Sequence, residues 1–117
     1  MIKYRDKQNL YIYPRSGSSK LDDACELFQK AGNSFKMAKN WTQAGRAFCS
    51  AAEIQLKQNA KHEAANMYNE ASNSFKKIDP QEALNCLQKS CDIYIDMVFL
   101  STSHVYFLWY FHFKSVF

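Results

Sequence analysis

Apolar residues recur every three or four positions from residue 20 to residue 97, which is the spacing of one face of an α-helix. Polar breaks divide this stretch into four segments, and residues that favour helix N-termini stand at the breaks. The clearest start combines Asp79 as a cap, Pro80 in the first turn and Glu82 as the capping-box acid. The sequence therefore predicts four antiparallel helices with these approximate spans: Ser19 to Met37, Asn40 to Lys57, Lys61 to Lys77, and Asp79 onward.

The first and third predicted helices resemble each other when they are compared at a shift of 40 residues. The second and fourth helices match at a shift of 39. The matched positions of the first comparison include Ala24 with Ala64, Phe28 with Tyr68, Ala31 with Ala71, Phe35 with Phe75 and Lys36 with Lys76. A period near 40 built from paired helices indicates an α-solenoid. The predicted fold class is all-α: a truncated, TPR-like α-solenoid of two antiparallel helix pairs.

Composition separates the chain into three predicted regions. Residues 1–19 mix aromatic and basic side chains and end in a Pro-Arg-Ser-Gly-Ser-Ser run, which predicts a flexible leader. Residues 20–97 form the TPR-like solenoid. Residues 98–117 hold eight aromatic residues and one charge, Lys114, without a helical period. Three interpretations of this hydrophobic tail remain open: a marginal membrane anchor, a lid on the last helix pair, and a terminus without an evolved role.

Two helix pairs are fewer than the three repeats that a solenoid generally needs to bury its apolar faces. We therefore expect marginal stability and a tendency to associate. We also expect the tail to hang free, because it lacks the period of a replacement helix. The residues of the fourth helix that we expect to lack a neighbour are Leu84, Leu87, Cys91 and Tyr94.

The net charge of +4 does not describe the folded body. Residues 1–19 carry four basic side chains and one acidic one, whereas residues 20–97 carry ten of each. A protein that binds nucleic acid needs a basic face to contact phosphates, so nucleic acid is not expected as a partner. The spacing of the four cysteines fits no zinc or disulfide framework, so we predict that they are reduced core residues.

Catalytic motifs are missing from the sequence. The run His62-Glu63-Ala64-Ala65-Asn66 begins like a zinc-protease helix but ends in Asn, so it lacks the second imidazole ligand. The three glycines are too far apart to form a phosphate-binding loop. We therefore predict no enzymatic activity, no cofactor and no metal site.

Several runs of residues between positions 17 and 97 share the sequence of a known family. They include Phe35-Lys36-Met37-Ala38-Lys39-Asn40-Trp41, Ala44-Gly45, Ala47-Phe48-Cys49, Asp79-Pro80-Gln81-Glu82-Ala83 and Asn85-Cys86-Leu87. With these runs the segment resembles the α/β-type soluble attachment proteins, which recruit the N-ethylmaleimide-sensitive fusion ATPase to SNARE complexes.

The resemblance implies an adaptor of intracellular vesicle transport, cytoplasmic and peripheral on membranes. Its partner would be a syntaxin-type SNARE bundle. The AAA ATPase would be contacted only indirectly, because the family's C-terminal contact region is missing here, and SNARE disassembly would be impaired. The alternatives are a general TPR-like interaction scaffold and a membrane-tethered isoform without function.

The resemblance also suggests two sets of site residues. Members of the family hold an acidic SNARE bundle through basic residues, for which the candidates here are Lys36, Lys39, Lys76 and Lys77. A simpler interpretation is that the positive charge of lysines at helix C-termini complements the helix dipole. Family members also touch membranes through an apolar leader loop, and the residues in that place are Tyr11, Ile12 and Tyr13.

Overall fold

The computed structural model of the chain describes residues 17–116, which fold into four α-helices joined by short turns. Helix α1 is Gly17–Met37, α2 is Trp41–Lys57, α3 is Lys61–Phe75 and α4 is Pro80–Val116. Each helix packs against the next, and the connections of three or four residues make neighbours antiparallel. This confirms the predicted all-α, TPR-like solenoid of two antiparallel helix pairs.

Two of the predicted helix starts are confirmed by their capping hydrogen bonds. The side chain of Asn40 accepts a hydrogen bond from the backbone N–H of Gln43, and that of Asp79 accepts one from Glu82, both at 3.3 Å. Each bond satisfies a donor that the first helical turn leaves unpaired. The predicted cap at Ser19 is wrong, because α1 begins two residues earlier and Ser19 lies inside its first turn.

The turns that follow α1 and α2 have the same geometry. Lys39 and Asn59 have positive φ angles of 61° and 62°, so both lie in the left-handed region. The next N–H in each turn bonds back to a carbonyl five residues earlier, which closes the helix end in the manner of a Schellman motif. These bonds, each 2.8 Å long, join Asn40 to Phe35 and Ala60 to Gln55.

The core consists of small residues with a few rings between them. Phe48, Tyr68 and Phe75 are the buried rings, and alanines occupy most of the other buried apolar positions. They form two adjoining clusters, one around Phe48 and Phe75 and the other around Tyr68 and Ile93. Alanine at the facing positions lets the helices approach closely.

Two glycines each receive a ring from the following helix. Gly32 of α1 faces Phe48 of α2, and Gly45 of α2 faces Phe75 of α3. A Cβ atom built on Gly32 would lie 2.8 Å from the Phe48 ring, and one on Gly45 would lie 2.5 Å from the Phe75 ring. Real Cβ atoms do not approach so closely, so both helix contacts depend on the missing side chain.

The predicted apolar face of α1 is wrong at Phe28, which is 38% exposed. Its repeat equivalent Tyr68 is only 3% exposed. The difference arises because α1 packs mainly against α2, whereas α3 lies between α2 and α4. On α1 the buried positions are Cys25 and Gly32, with Ala24, Ala31 and Phe35 half-buried beside them.

The outward face of α4 has no neighbour among residues 17–116. Leu84 is 59% exposed, and Leu87 and Cys91 are exposed as well, as expected for a solenoid face without its next helix pair. The expectation is wrong for Tyr94, which turns toward α3 instead. Its ring is half-buried against the second cluster, and its hydroxyl donates a hydrogen bond to Asn66 Oδ1 at 3.3 Å.

The tail is helical, contrary to the absence of a helical period in its sequence. Helix α4 continues without a break to Val116, and its residues from 98 to 116 are exposed. Apolar residues surround this part of the helix on most sides, which hides any period, while aromatic rings one turn apart contact each other. The ring centroids are 4.6 Å apart for Phe107 with Phe111 and 5.3 Å apart for Trp109 with Phe113. In the part of the chain that the structure describes, no helix is long and apolar enough to cross a membrane.

Deleting residues 98–117 is expected to leave the melting temperature within about 2 °C of the parent value, because exposed surface residues contribute little to stability. The same deletion should increase solubility, since it removes a large exposed apolar surface. Thermal melts followed by circular dichroism, together with light scattering, measure the two effects. A deleted chain that melts well below the parent would show that the tail covers part of the body.

Candidate interaction site

The four candidate lysines lie at one end of the helix stack. Lys36 is in the last turn of α1 and Lys39 is in the turn that follows it. Lys76 caps the C-terminus of α3, and Lys77 comes next in the chain. Because α1 and α3 run in the same direction, their C-termini lie at the same end of the stack. The structure thus brings the four residues to one end of the fold, as the equivalence of Lys36 and Lys76 in the repeat predicts for these two.

Lys36 differs from the other three because it takes part in packing. Its Nζ forms an ion pair with Glu70 Oε2 of α3 at 2.9 Å and lies 5.6 Å from the centroid of the Phe48 ring. Both charged side chains are about one third exposed. The ion pair links α1 to α3 directly and offsets the charge of Lys36, so this residue offers a partner less positive charge than its position suggests.

Lys39 is exposed, and its backbone holds an unusual conformation. A positive φ is adopted readily by glycine and tolerated by asparagine, and it is uncommon for lysine. The equivalent position of the second turn is Asn59. The turn therefore places a basic side chain where the geometry favours glycine.

Lys76 and Lys77 lie at the same end of the helix stack as Lys39, and Lys77 lies beside an aromatic ring. Lys77 Nζ lies 4.9 Å from the centroid of the half-buried Trp41 ring, within the range of a cation–π contact. Lys76 is exposed. Lys39, Lys76 and Lys77 thus form a surface of three exposed lysines, which we call the basic end.

Sequence reasoning missed Glu70 and the second role of Trp41. Glu70 lies 34 positions from Lys36, and nothing local in the sequence signals that the two side chains meet. The bulk of Trp41 predicts a residue that fills space between helix pairs, and the contact of its ring with Lys77 is additional to that role. Its position directly after the Lys39 turn, with Lys77 two residues past the end of α3, is the signal that connects it to the basic end.

Clusters of side chains that could hold a metal ion are absent from the described region. No three His, Cys, Asp or Glu side chains between residues 17 and 116 come together as metal ligands. His62 is exposed on α3, with its ring edge-on to Tyr94 at 6.1 Å between centroids. Burial raises the pKa of Tyr68 to about 12. The proposed membrane residues Tyr11, Ile12 and Tyr13 lie outside the described residues.

The fold and the basic end together define a helix-pair solenoid of the kind that binds other proteins. The sequence model described as "Soluble NSF attachment protein, SNAP" matches residues 3–104, most of the chain. The chain belongs to the soluble NSF attachment protein family. The match extends seven residues beyond residue 97, the last residue of the predicted solenoid.

Individual members of the family are similar to the same part of the chain. Human alpha-soluble NSF attachment protein is 50% identical over 95 residues, which cover 81% of this chain and 32% of that protein. Bovine beta-soluble NSF attachment protein is 49% identical over 81 residues, 69% of this chain and 27% of that protein. A probable vesicular-fusion protein homolog of Schizosaccharomyces pombe is 41% identical over 78 residues, 67% and 27% respectively. The chain thus spans about a third of the length of these relatives.

Proposed function

We propose that this chain is a SNARE-binding adaptor of intracellular vesicle transport, working at the membrane surface from the cytoplasm with the fusion ATPase. The observation that carries the proposal is the family match over residues 3–104, with 50% identity to the human alpha-soluble NSF attachment protein. The names of the relatives describe attachment to NSF and vesicular fusion. An adaptor of this kind binds and positions other proteins and is not itself an enzyme.

The basic end is the surface that we propose for contact with the SNARE bundle. Lys39, Lys76 and Lys77 are exposed there, and an acidic helical bundle would be attracted by their charge. Each exposed contact of this type contributes about 0.2 to 1 kcal/mol, and salt screens it. Lys36 would act mainly by holding α1 and α3 together through Glu70. A competing explanation is that lysines stand at these positions because their positive charge complements the dipole at a helix C-terminus.

Reversing the charges of the basic end tests this assignment. We expect the triple variant Lys39→Glu, Lys76→Glu, Lys77→Glu to bind an assembled SNARE bundle at least about tenfold more weakly at low salt, with a smaller difference at high salt. Surface plasmon resonance or pull-down with a titrated bundle measures the change. The matched control reverses the exposed Lys20, Lys30 and Lys57, which lie elsewhere on α1 and α2.

Equal losses in the two triple variants would contradict a specific contact at the basic end. A parent chain that does not bind the SNARE bundle at all would favour the alternative, a general helix-pair interaction scaffold. Adding the ATPase and ATP to the bound complex tests the expectation of impaired disassembly. Brisk release of the SNARE proteins would contradict that expectation.

Peripheral membrane contact through the leader is also a proposal. Tyr11, Ile12 and Tyr13 stand close to four basic residues in the first 19 positions, and a basic residue near anionic lipid contributes on the order of 1 kcal/mol. Deleting residues 1–17 should therefore abolish co-sedimentation with phosphatidylserine vesicles. Deleting residues 98–117 is the comparison, and a loss of binding in that variant alone would assign the contact to the tail.

A further inference from the structure

Two cysteines from different helices meet in the core. Cys49 of α2 and Cys86 of α4 are 37 positions apart in sequence, and their Sγ atoms are 3.6 Å apart. Both are free thiols. A disulfide requires an S–S distance of about 2.05 Å, so the two sulfurs need to approach by roughly 1.5 Å.

One cysteine of the pair is reachable from solvent. Cys49 lines an open cavity of about 510 Å³ together with Arg46, Glu82 and Lys89. Cys86 lies behind it and is buried in the cluster of Phe48 and Phe75. A molecule as small as hydrogen peroxide can therefore approach the pair from the cavity, while the second sulfur is already in contact with the first.

The electrostatics of the pair favour one thiolate. The hydrogen bond from Cys49 lowers the pKa of Cys86, and the positive charge of Lys89 lowers it further. The same hydrogen bond, together with burial, raises the pKa of Cys49. The Cys86 sulfur therefore carries negative charge more readily than an isolated thiol, whereas Cys49 keeps its proton and donates a hydrogen bond to Cys86.

We propose that Cys49 and Cys86 form a redox-modification site, a dithiol that hydrogen peroxide converts into an intramolecular disulfide. Cys49 passes its proton to the Cys86 thiolate across their contact, and the Cys49 sulfur, which the cavity exposes, attacks one oxygen of hydrogen peroxide. The O–O bond breaks, and the hydroxide leaves as water after it is protonated. The resulting sulfenic acid is attacked by the second thiol, the S–S bond forms, and the S–O bond breaks with loss of a second water. The two sulfurs supply the two electrons that reduce the peroxide.

The disulfide would join helices that are two apart in the chain. Helix α3 lies between α2 and α4 in sequence, and the ion pair of Lys36 with Glu70 makes a similar link from α1 to α3. A covalent bond from α2 to α4 would fix the spacing of these helices and hence the curvature of the solenoid. The inference does not rest on the proposed function, because it depends only on the two thiols and their surroundings.

The other two cysteines are placed differently. Cys25 is buried on α1, and its thiol donates to the carbonyl of Ala51 at 3.7 Å. Cys91 is exposed on the outward face of α4. Cys91 can therefore link two chains after oxidation, so the test uses a Cys91→Ser background in addition to the parent chain.

Peptide mapping after oxidation tests the proposal. The chain is titrated with hydrogen peroxide, its remaining thiols are alkylated after unfolding, and it is digested with trypsin. Cleavage after lysine and arginine puts Cys49 on peptide 47–57, Cys86 on peptide 78–89 and Cys25 on peptide 21–30. We expect a linked species of peptides 47–57 and 78–89 from monomeric protein, and its loss on treatment with dithiothreitol.

A second measurement separates the disulfide from other forms of oxidation. In the Cys91→Ser background, oxidation should raise the melting temperature by several degrees, and dithiothreitol should reverse the shift, because the cross-link restricts the unfolded chain. The matched control adds Cys49→Ser, and its melting temperature should not rise. The proposal would be overturned if peroxide modifies Cys91 in the parent chain while Cys49 and Cys86 both remain free to be alkylated. A peptide link that forms only between two chains would overturn it as well.

Discussion

Replacing Phe48 with alanine is expected to lower the free energy of unfolding by about 3 to 5 kcal/mol. The ring is 2% exposed and lies where α1, α2 and α3 come together, against Gly32 and within the cluster that includes Phe75 and Ala71. Its removal leaves a cavity that the alanines around it cannot fill. Because a small domain has only about 5 to 15 kcal/mol of stability, the variant should unfold at much lower urea concentration.

Phe28→Ala is the matched control for this change. It removes a ring of the same size from α1, but this ring is 38% exposed, so we expect a clearly smaller cost than at Phe48. Urea denaturation followed by circular dichroism gives both values. If Phe48→Ala costs no more than Phe28→Ala, the ring of Phe48 does not have the central packing role that we assign to it.

The second large effect is expected from Gly45→Ala. An alanine in the middle of a helix normally stabilises it by about 1 kcal/mol relative to glycine. Here the added methyl group would meet the Phe75 ring at 2.5 Å, so the ring or the whole of α3 has to move. Overpacking of this kind costs about 1 to 3 kcal/mol or more, and we expect a net loss of stability in spite of the better helix propensity.

A double-mutant cycle with Phe75→Leu isolates the cause. If the clash with the ring is responsible, Gly45→Ala should cost less in the Phe75→Leu background than in the parent, because the smaller side chain leaves room for the methyl group. Thermal melts of the four proteins are sufficient. An increase in melting temperature for Gly45→Ala alone would show that the helices adjust without cost.

The sequence predicted the features of the fold that depend on local chemistry. Asn40 and Asp79 cap helices because a cap needs only its own side chain and an N–H three residues on. The exposure of Phe28 was not predictable from the repeat, since it depends on how many helices flank α1. The contact of Lys36 with Glu70 depends on the curvature of the whole stack. That Lys36 and Lys76 share one end followed from the repeat, whereas the position of Trp41 beside Lys77 became apparent only in the structure.

The tail helix shows the limit of arguments from periodicity. A hydrophobic period marks a helix that buries one face, and the part of α4 beyond residue 97 buries none. In this part of α4, aromatic rings on successive turns contact each other instead. Such contacts mark no buried face, and apolar residues lie on every side of this segment, so no helical period in the sequence indicated this helix.

The positions of the two tryptophans make the fold readable by intrinsic fluorescence. The chain contains only Trp41 and Trp109, and the second is on the exposed tail. A chain without residues 98–117 therefore keeps a single indole, half-buried and 4.9 Å from the ammonium group of Lys77. Its emission should respond both to unfolding of the helix pairs and to a partner that displaces Lys77, so one unlabelled spectroscopic signal reports on the body and on the basic end.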